Sequence, residues 1–169
     1  MRNLRRTILL TAACLTFVFA ARAQDRTVPA PPQHPILTLH AVGSQVYSCQ
    51  RIDNTFQWTF IAPVARLFDA SGNEVATHGD GPVWNYQDSS SIQGVVQIKS
   101  PSPDAGSIPW LLLKAVNPAR TGILTTVDFI RRSDTHGGIA PTTGCDAQHV
   151  NENARIPYTA TYTFYSAKP

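Results

Sequence analysis

The chain has 169 residues, 43% of them hydrophobic and 15% charged. That length fits one domain, and the composition is too apolar and too weakly charged for a disordered chain. No run reaches the roughly 18 consecutive apolar residues of an ordinary membrane-spanning helix, and the net charge of +3 does not survive a closer look.

The amino terminus reads as an export signal over residues 1–23. Arg2, Arg5 and Arg6 form a positive region, 7–20 is a short apolar stretch, and Ala21-Arg22-Ala23 offers small residues to a signal peptidase, leaving Gln24 first in the mature chain. A rival reading acylates Cys14, but the apolar stretch before it is very short and apolar sequence continues beyond it. The signal holds four arginines and no acid, so the mature chain has 10 basic residues against 11 acidic, a net of −1. The whole-domain electrostatic case for nucleic acid goes with it. Arg131-Arg132 is the basic pair that stays, and neighbours on a strand point to opposite faces.

Residues 24–38 form a proline-rich lead, with Pro29, Pro31, Pro32 and Pro35, read as an extended tether. The single domain spans 39–166. The mature chain keeps Cys49 and Cys145, an even number that suits an oxidising compartment. Neither has a CxxC neighbour or a histidine at zinc spacing, so a disulfide between them is expected, with no metal site. Closing a loop of 96 residues would contribute roughly 4–5 kcal/mol on the chain-entropy model.

The domain reads as strands in chain order: 45–49, 57–61, 65–68, 74–77, 83–86, 92–99, 110–116, 123–131 and 158–165. The clearest is the last, where Tyr158, Ala160, Tyr162 and Phe164 share one face and Thr159, Thr161 and Thr163 the other. Asp69-Ala70-Ser71-Gly72-Asn73 is a turn, and a Gly-rich loop runs over 135–145. No helical stripe of 12 residues occurs. The fold class is all-β, a single-domain β-sandwich or barrel of about nine or ten short strands with one disulfide.

Several blocks then occur in a fixed order: Trp58-Thr59-Phe60-Ile61-Ala62-Pro63, Gly81-Pro82-Val83-Trp84, Ile108-Pro109-Trp110-Leu111-Leu112-Leu113-Lys114-Ala115, Gly137-Gly138-Ile139-Ala140-Pro141 with Gly144-Cys145-Asp146, and Ile156-Pro157-Tyr158-Thr159-Ala160-Thr161-Tyr162. On these blocks the chain resembles the small secreted bacterial and fungal proteins grouped as domain of unknown function 3455, over about 39–165. The resemblance implies no established activity and no catalytic residue. Some fungal relatives carry a malate dehydrogenase label, which this chain does not support: it has no GxGxxG after a strand and no βαβ pattern.

The most site-like segment is Thr77-His78-Gly79-Asp80-Gly81-Pro82-Val83-Trp84, which sets a histidine and a carboxylate on a Gly-rich loop beside a tryptophan. His136 sits in the other Gly-rich loop. If the two loops met, His78, Asp80 and His136 could bind a metal or share a proton. The plainer alternative makes them solvated loop residues, with Trp84 filling the core. Ser89-Ser90-Ser91 lacks a GxSxG elbow, Glu74 and Glu152 sit in turn-like contexts, and Asp69, Ser71, Asn73 and Glu74 lack the spacing of an EF-hand. Trp58 and Trp110, inside apolar runs, are expected in the core, and Trp84 is the tryptophan placed to line a pocket.

Two function classes follow. The first is an exported, non-catalytic binding or interaction module, periplasmic or extracellular, that needs no cofactor and takes a small molecule or an extracytoplasmic macromolecule through His78, Asp80, Trp84 and His136. The second is a small secreted hydrolase or metal-dependent enzyme at the His78 and His136 loops. Neither involves nucleic acid, or a transmembrane anchor once the signal is cleaved. Export predicts a mature chain that begins at Gln24. Amino-terminal sequencing of the protein recovered from its host checks this, and a retained Met1 or a lipid on Cys14 overturns it.

Overall fold

The computed structural model describes residues 25–118 and 121–168. The signal segment over 1–23, with Cys14, lies outside the described residues. Eight strands form one antiparallel sheet: β1 (His34–Ile52), β2 (Thr55–Phe68), β3 (Glu74–Gly79), β4 (Val83–Tyr86), β5 (Ser91–Ser100), β6 (Trp110–Val116), β7 (Phe129–Gly137) and β8 (Asn153–Ser166). Each strand pairs with the next, and β8 pairs back on β1, so the sheet closes into a barrel.

The strands are fewer and longer than their apolar runs suggest. The runs at 57–61 and 65–68 belong to a single strand, β2, that passes through Pro63. The ladder slips one residue there: Tyr47 faces Phe60, whereas Val46 faces Ala62. The bulge leaves Ile61 as the extra residue and lets a residue without an N–H sit inside a paired strand. At the far end of β1, Asp53 and Asn54 both have positive φ (47° and 65°) and close a two-residue hairpin. At Gly43 β1 and β2 leave no room for a side chain, because a Cβ there would lie 2.5 Å from the Ala65 Cα.

Period-two alternation decides what fills the barrel. Leu39 and Ala41 of β1, Leu67 of β2, Trp84 of β4, Ile92 of β5, Leu113 of β6, Ile130 of β7 and Tyr158, Ala160, Tyr162 and Phe164 of β8 point inward and are buried. The run over 123–131 departs from its expected strand. Ile123–Thr126 is a 3-10 turn that follows Gly122 at φ 94°, and β7 begins only at Phe129. Asp88 accepts from the Ile123 amide (2.7 Å) and Ser90 Oγ from the Leu124 amide (3.3 Å). This seats Leu124, 1% exposed, across one end of the barrel.

The proline-rich lead is not a free tether. Residues 34–38 already belong to β1. Before them, Thr27 is fully buried, and Asp25 meets Arg131 at 2.5 Å, while the Arg131 Nε donates to Thr27 Oγ1 at 3.1 Å. Trp58 and Trp110 also leave their expected place. Neither belongs to the buried core: the Trp58 indole donates to the Thr143 carbonyl (2.9 Å), and Trp110 carries the Arg131 guanidinium over its ring at 5.0 Å.

Cys49 and Cys145 are joined, with their Cα atoms 5.3 Å apart. The bond pins the β7–β8 loop to β1, and backbone bonds from Cys49 N to Glu152 O (2.9 Å) and from Asn151 N to Cys49 O (2.8 Å) reinforce it. A cross-link over 96 residues mainly restricts the unfolded chain, so its reduction is expected to lower the unfolding free energy by about 4 kcal/mol. Urea titrations of the oxidised and reduced protein check this, and coincident curves would refute it.

Candidate functional site

The eight-stranded barrel is closed at one end by Leu124 and its 3-10 turn and open at the other. Eight strands enclose an interior that side chains fill or that holds one small ligand. Here both occur along one axis. The half near Leu124 is packed solid. The other half holds a cavity of about 580 Å³, bounded by the far ends of the strands and by the β3–β4 turn. That volume falls within the range of about 300–1,000 Å³ usual for small-molecule pockets.

The floor is aromatic. His78 and Trp84 are cross-strand partners on β3 and β4, and their rings stack with centroids 4.2 Å apart and planes 8° from parallel. Tyr162 from β8 meets both edge-on, at 5.1 Å and 5.4 Å. Room for the indole comes from Gly94, where a Cβ would stand 3.0 Å from both Trp84 and Leu113. Apolar side chains, among them Phe60, Ile61, Val96, Leu111 and Pro109, line the walls and rim. Phe60, Ile61 and Val96 are each about half exposed there.

Polar groups are set into this apolar shell. His78 Nδ1 donates to the Val83 carbonyl at 2.9 Å. That bond fixes the tautomer and leaves Nε2 with a free lone pair. Burial, helped by the Arg132 charge and opposed by the Val83 bond, lowers the imidazole pKa to about 4. The ring is therefore neutral at pH 7 and acts as an acceptor rather than a cation. Gln45 Nε2, Trp84 Nε1, Tyr158 Oη and Tyr162 Oη are all buried and make no well-formed hydrogen bond among the described residues, though the Tyr158 hydroxyl lies close enough to Gln45 and Tyr162 to share one with them. Gln45, Trp84 and Tyr162 line the cavity, and Tyr158 lies beside Gln45 and Tyr162. Burial, with the neighbouring Tyr162 adding to it, raises the Tyr158 pKa and keeps that phenol protonated.

The four residues singled out in the sequence part company. His78, Asp80 and Trp84 line one cavity, with Asp80 exposed on its rim. His136 does not join them. It is exposed, and its Nδ1 lies 2.9 Å from Asp104 Oδ2, to which Ser107 donates at 2.7 Å. The hydroxyl thus meets the carboxylate and not the imidazole, so this trio lacks the order of a catalytic triad. Among the described residues no three His, Cys, Asp or Glu side chains converge as metal ligands. Ser90 lies at the closed end, bonded to the Leu124 amide and remote from His78. Gln45, Arg132 and Tyr162 were not singled out from sequence. For Arg132 and Tyr162 the signal was there: counting by two from the apolar Ile130 and Phe164 places both on the inward face.

The family profile described as protein of unknown function (DUF3455) matches residues 29–166. The chain belongs to this family. The match takes in all of β1 to β8, so the barrel is the family's domain here. Comparisons with curated proteins and with solved structures returned no match.

The buried imidazole has a pH signature. Its folded-state pKa, about 4, lies below the unfolded value of about 6.5, so the unfolded chain binds more protons between those limits. This contribution to stability is whole above pH 6.5 and is lost as pH falls toward 4, by roughly 3 kcal/mol. His78→Phe keeps a flat ring on Trp84 but cannot titrate. Its deficit against wild type is expected to shrink by that amount between pH 7 and pH 4 in urea titrations, whereas a constant deficit would show that His78 does not titrate as a buried neutral group.

Proposed function

We propose that this protein is an exported, non-catalytic binding module that holds one small molecule in the open half of its barrel. The observation that carries the reading is the cavity with its under-satisfied polar groups. A buried polar atom without a hydrogen-bond partner costs about 1–3 kcal/mol, and Trp84 Nε1 brings one to a space it shares with the Gln45 amide and the Tyr162 hydroxyl, whose polar neighbour is Tyr158. A ligand with polar atoms at its inner end would relieve that cost, and the apolar walls would cover its body. Export is supported by the amino-terminal signal pattern and by the disulfide, which suits an oxidising compartment. The enzymatic alternative at the His78 and His136 loops loses its support, because His136 stands outside the cavity.

The neutral dye N-phenyl-1-naphthylamine, which brightens in apolar surroundings, tests the reading. Saturable binding of one dye per barrel is expected, and Val96→Trp, which places an indole across the rim, is expected to abolish it while melting temperature and disulfide persist. No saturable binding by the wild type would refute the proposal, as would binding that the Val96→Trp plug leaves intact.

A further inference from the structure

Two adjacent arginines on β7 have opposite fates. Arg131 points outward and is fully partnered: it meets Asp25 at 2.5 Å, Ser133 at 2.8 Å and Thr27 at 3.1 Å. Arg132 points inward, opposite Tyr162 on β8 and Leu111 on β6, and lines the cavity. Its Nε and Nη2 both donate to the Pro109 carbonyl, at 3.1 Å and 2.8 Å. That clamp fixes the plane of the guanidinium and leaves Nη1 without a hydrogen-bond partner among the described residues. No carboxylate among the described residues forms an ion pair with it. Its charge is felt within the barrel, acting on His78, Tyr47 and Tyr158.

A cation held in an apolar cavity without a counter-ion is costly. Cavities that keep one offer an anion site, and a planar guanidinium suits carboxylates and their analogues. The neighbouring groups agree. Trp84 Nε1 and Gln45 Nε2 are pure donors, and the Tyr162 hydroxyl is a further donor free to turn. His78 Nε2 and the Gln45 carbonyl oxygen are confined to accepting. Donors therefore outnumber acceptors at the inner end, which favours an acceptor-rich group. The one acid in the lining, Asp80, is exposed on the rim, where Lys99 is exposed too.

We infer that the cavity selects a small organic anion, a carboxylate or sulfonate on an aromatic or aliphatic body, with Arg132 anchoring the charged end. This rests on the binding function proposed above and goes further in naming the charge and the anchor. The apolar body would lie along Leu111, Val96 and Phe60 toward the mouth.

The test compares two dyes that share one aromatic body: 1-anilinonaphthalene-8-sulfonate, which is anionic, and the neutral N-phenyl-1-naphthylamine. Wild-type protein is expected to bind the sulfonate more tightly, by about tenfold or more, as a charge-assisted hydrogen bond implies. Arg132→Gln is expected to bring the ratio of the two affinities close to one. Lys99→Gln, on the rim, is expected to keep most of the preference. Equal affinities in the wild type, or a preference that survives Arg132→Gln or vanishes with Lys99→Gln, would overturn the inference while neutral-dye binding still upheld the cavity as a binding site. Failure of both dyes to bind the wild type would remove both proposals. If melting curves show that Arg132→Gln does not fold, displacement of the neutral dye from wild type by 1-naphthoate against 1-naphthylmethanol decides. Preference for the acid supports the anchor and parity overturns it.

Discussion

The pairing of β1 with β8 is the constraint on which the rest of the molecule depends. β1 is 19 residues long and carries β2 along one edge and β8 along the other, with partners running from His34–Ser166 to Ser48–Asn153. Closing the ring satisfies the backbone groups that an open sheet would leave along two edges. It also makes the two faces unequal. Every inward side chain must share one narrow interior, so each inward position is either core or cavity wall. The ring is long-range by nature, since its first and last strands come from opposite ends of the domain. A disulfide that ties Cys49 on β1 to the loop before β8 therefore acts beside the seam that closes last in sequence.

The interior divides by chemistry as well as by space. Toward Leu124 the inward strand residues are aliphatic or aromatic, and the buried Ser90 at that end is satisfied by the Leu124 amide. Midway along the barrel, His78, Trp84 and Tyr162 form a floor whose flat faces pack well, while their ring heteroatoms and hydroxyl are left short of partners. Beyond the floor stand Gln45 and Arg132. A fold selected for stability alone would put aliphatic side chains at these positions. Low dielectric strengthens any hydrogen bond these groups make and raises the cost of leaving them unmade. The same surroundings hold His78 neutral, so Arg132, partly buried in the cavity wall, is the charge that faces the floor, while Asp80 and Lys99 are exposed on the rim.

Much of the fold was legible in the sequence where alternation was regular. The inward face of β8 follows directly from Tyr158, Ala160, Tyr162 and Phe164, and β4 keeps its bounds at Val83–Tyr86. The opposed directions of Arg131 and Arg132 follow from the strand period alone. The strand count did not survive, because Pro63 and the bulge beside it look like a break in one dimension but are absorbed by the register with β1. The run at Ile123 looks like a strand by composition, yet Asp88 and Ser90, more than 30 residues earlier, capture its amides and turn it into a plug. The site was half legible. His78 and Trp84 drew notice through their glycine-rich surroundings, but they act as a stacked cross-strand pair. His136 shared the same local signature and went elsewhere, since only pairing in space separates the two. Gln45 carries no local signature: a polar residue on a strand looks the same whether it faces water or a cavity, until the ring is closed.

The up-and-down order has a further consequence for orientation. With eight strands, β1 enters and β8 leaves on the same side, the side sealed by Leu124, while the hairpins β1–β2, β3–β4, β5–β6 and β7–β8 all fall on the other. A surface, a linker or a neighbouring module attached through either strand terminus would thus hold the barrel by its base, with the mouth turned outward. The β1–β2, β3–β4 and β5–β6 connections are then the parts of the chain free to vary the opening, because the disulfide ties the β7–β8 loop to β1.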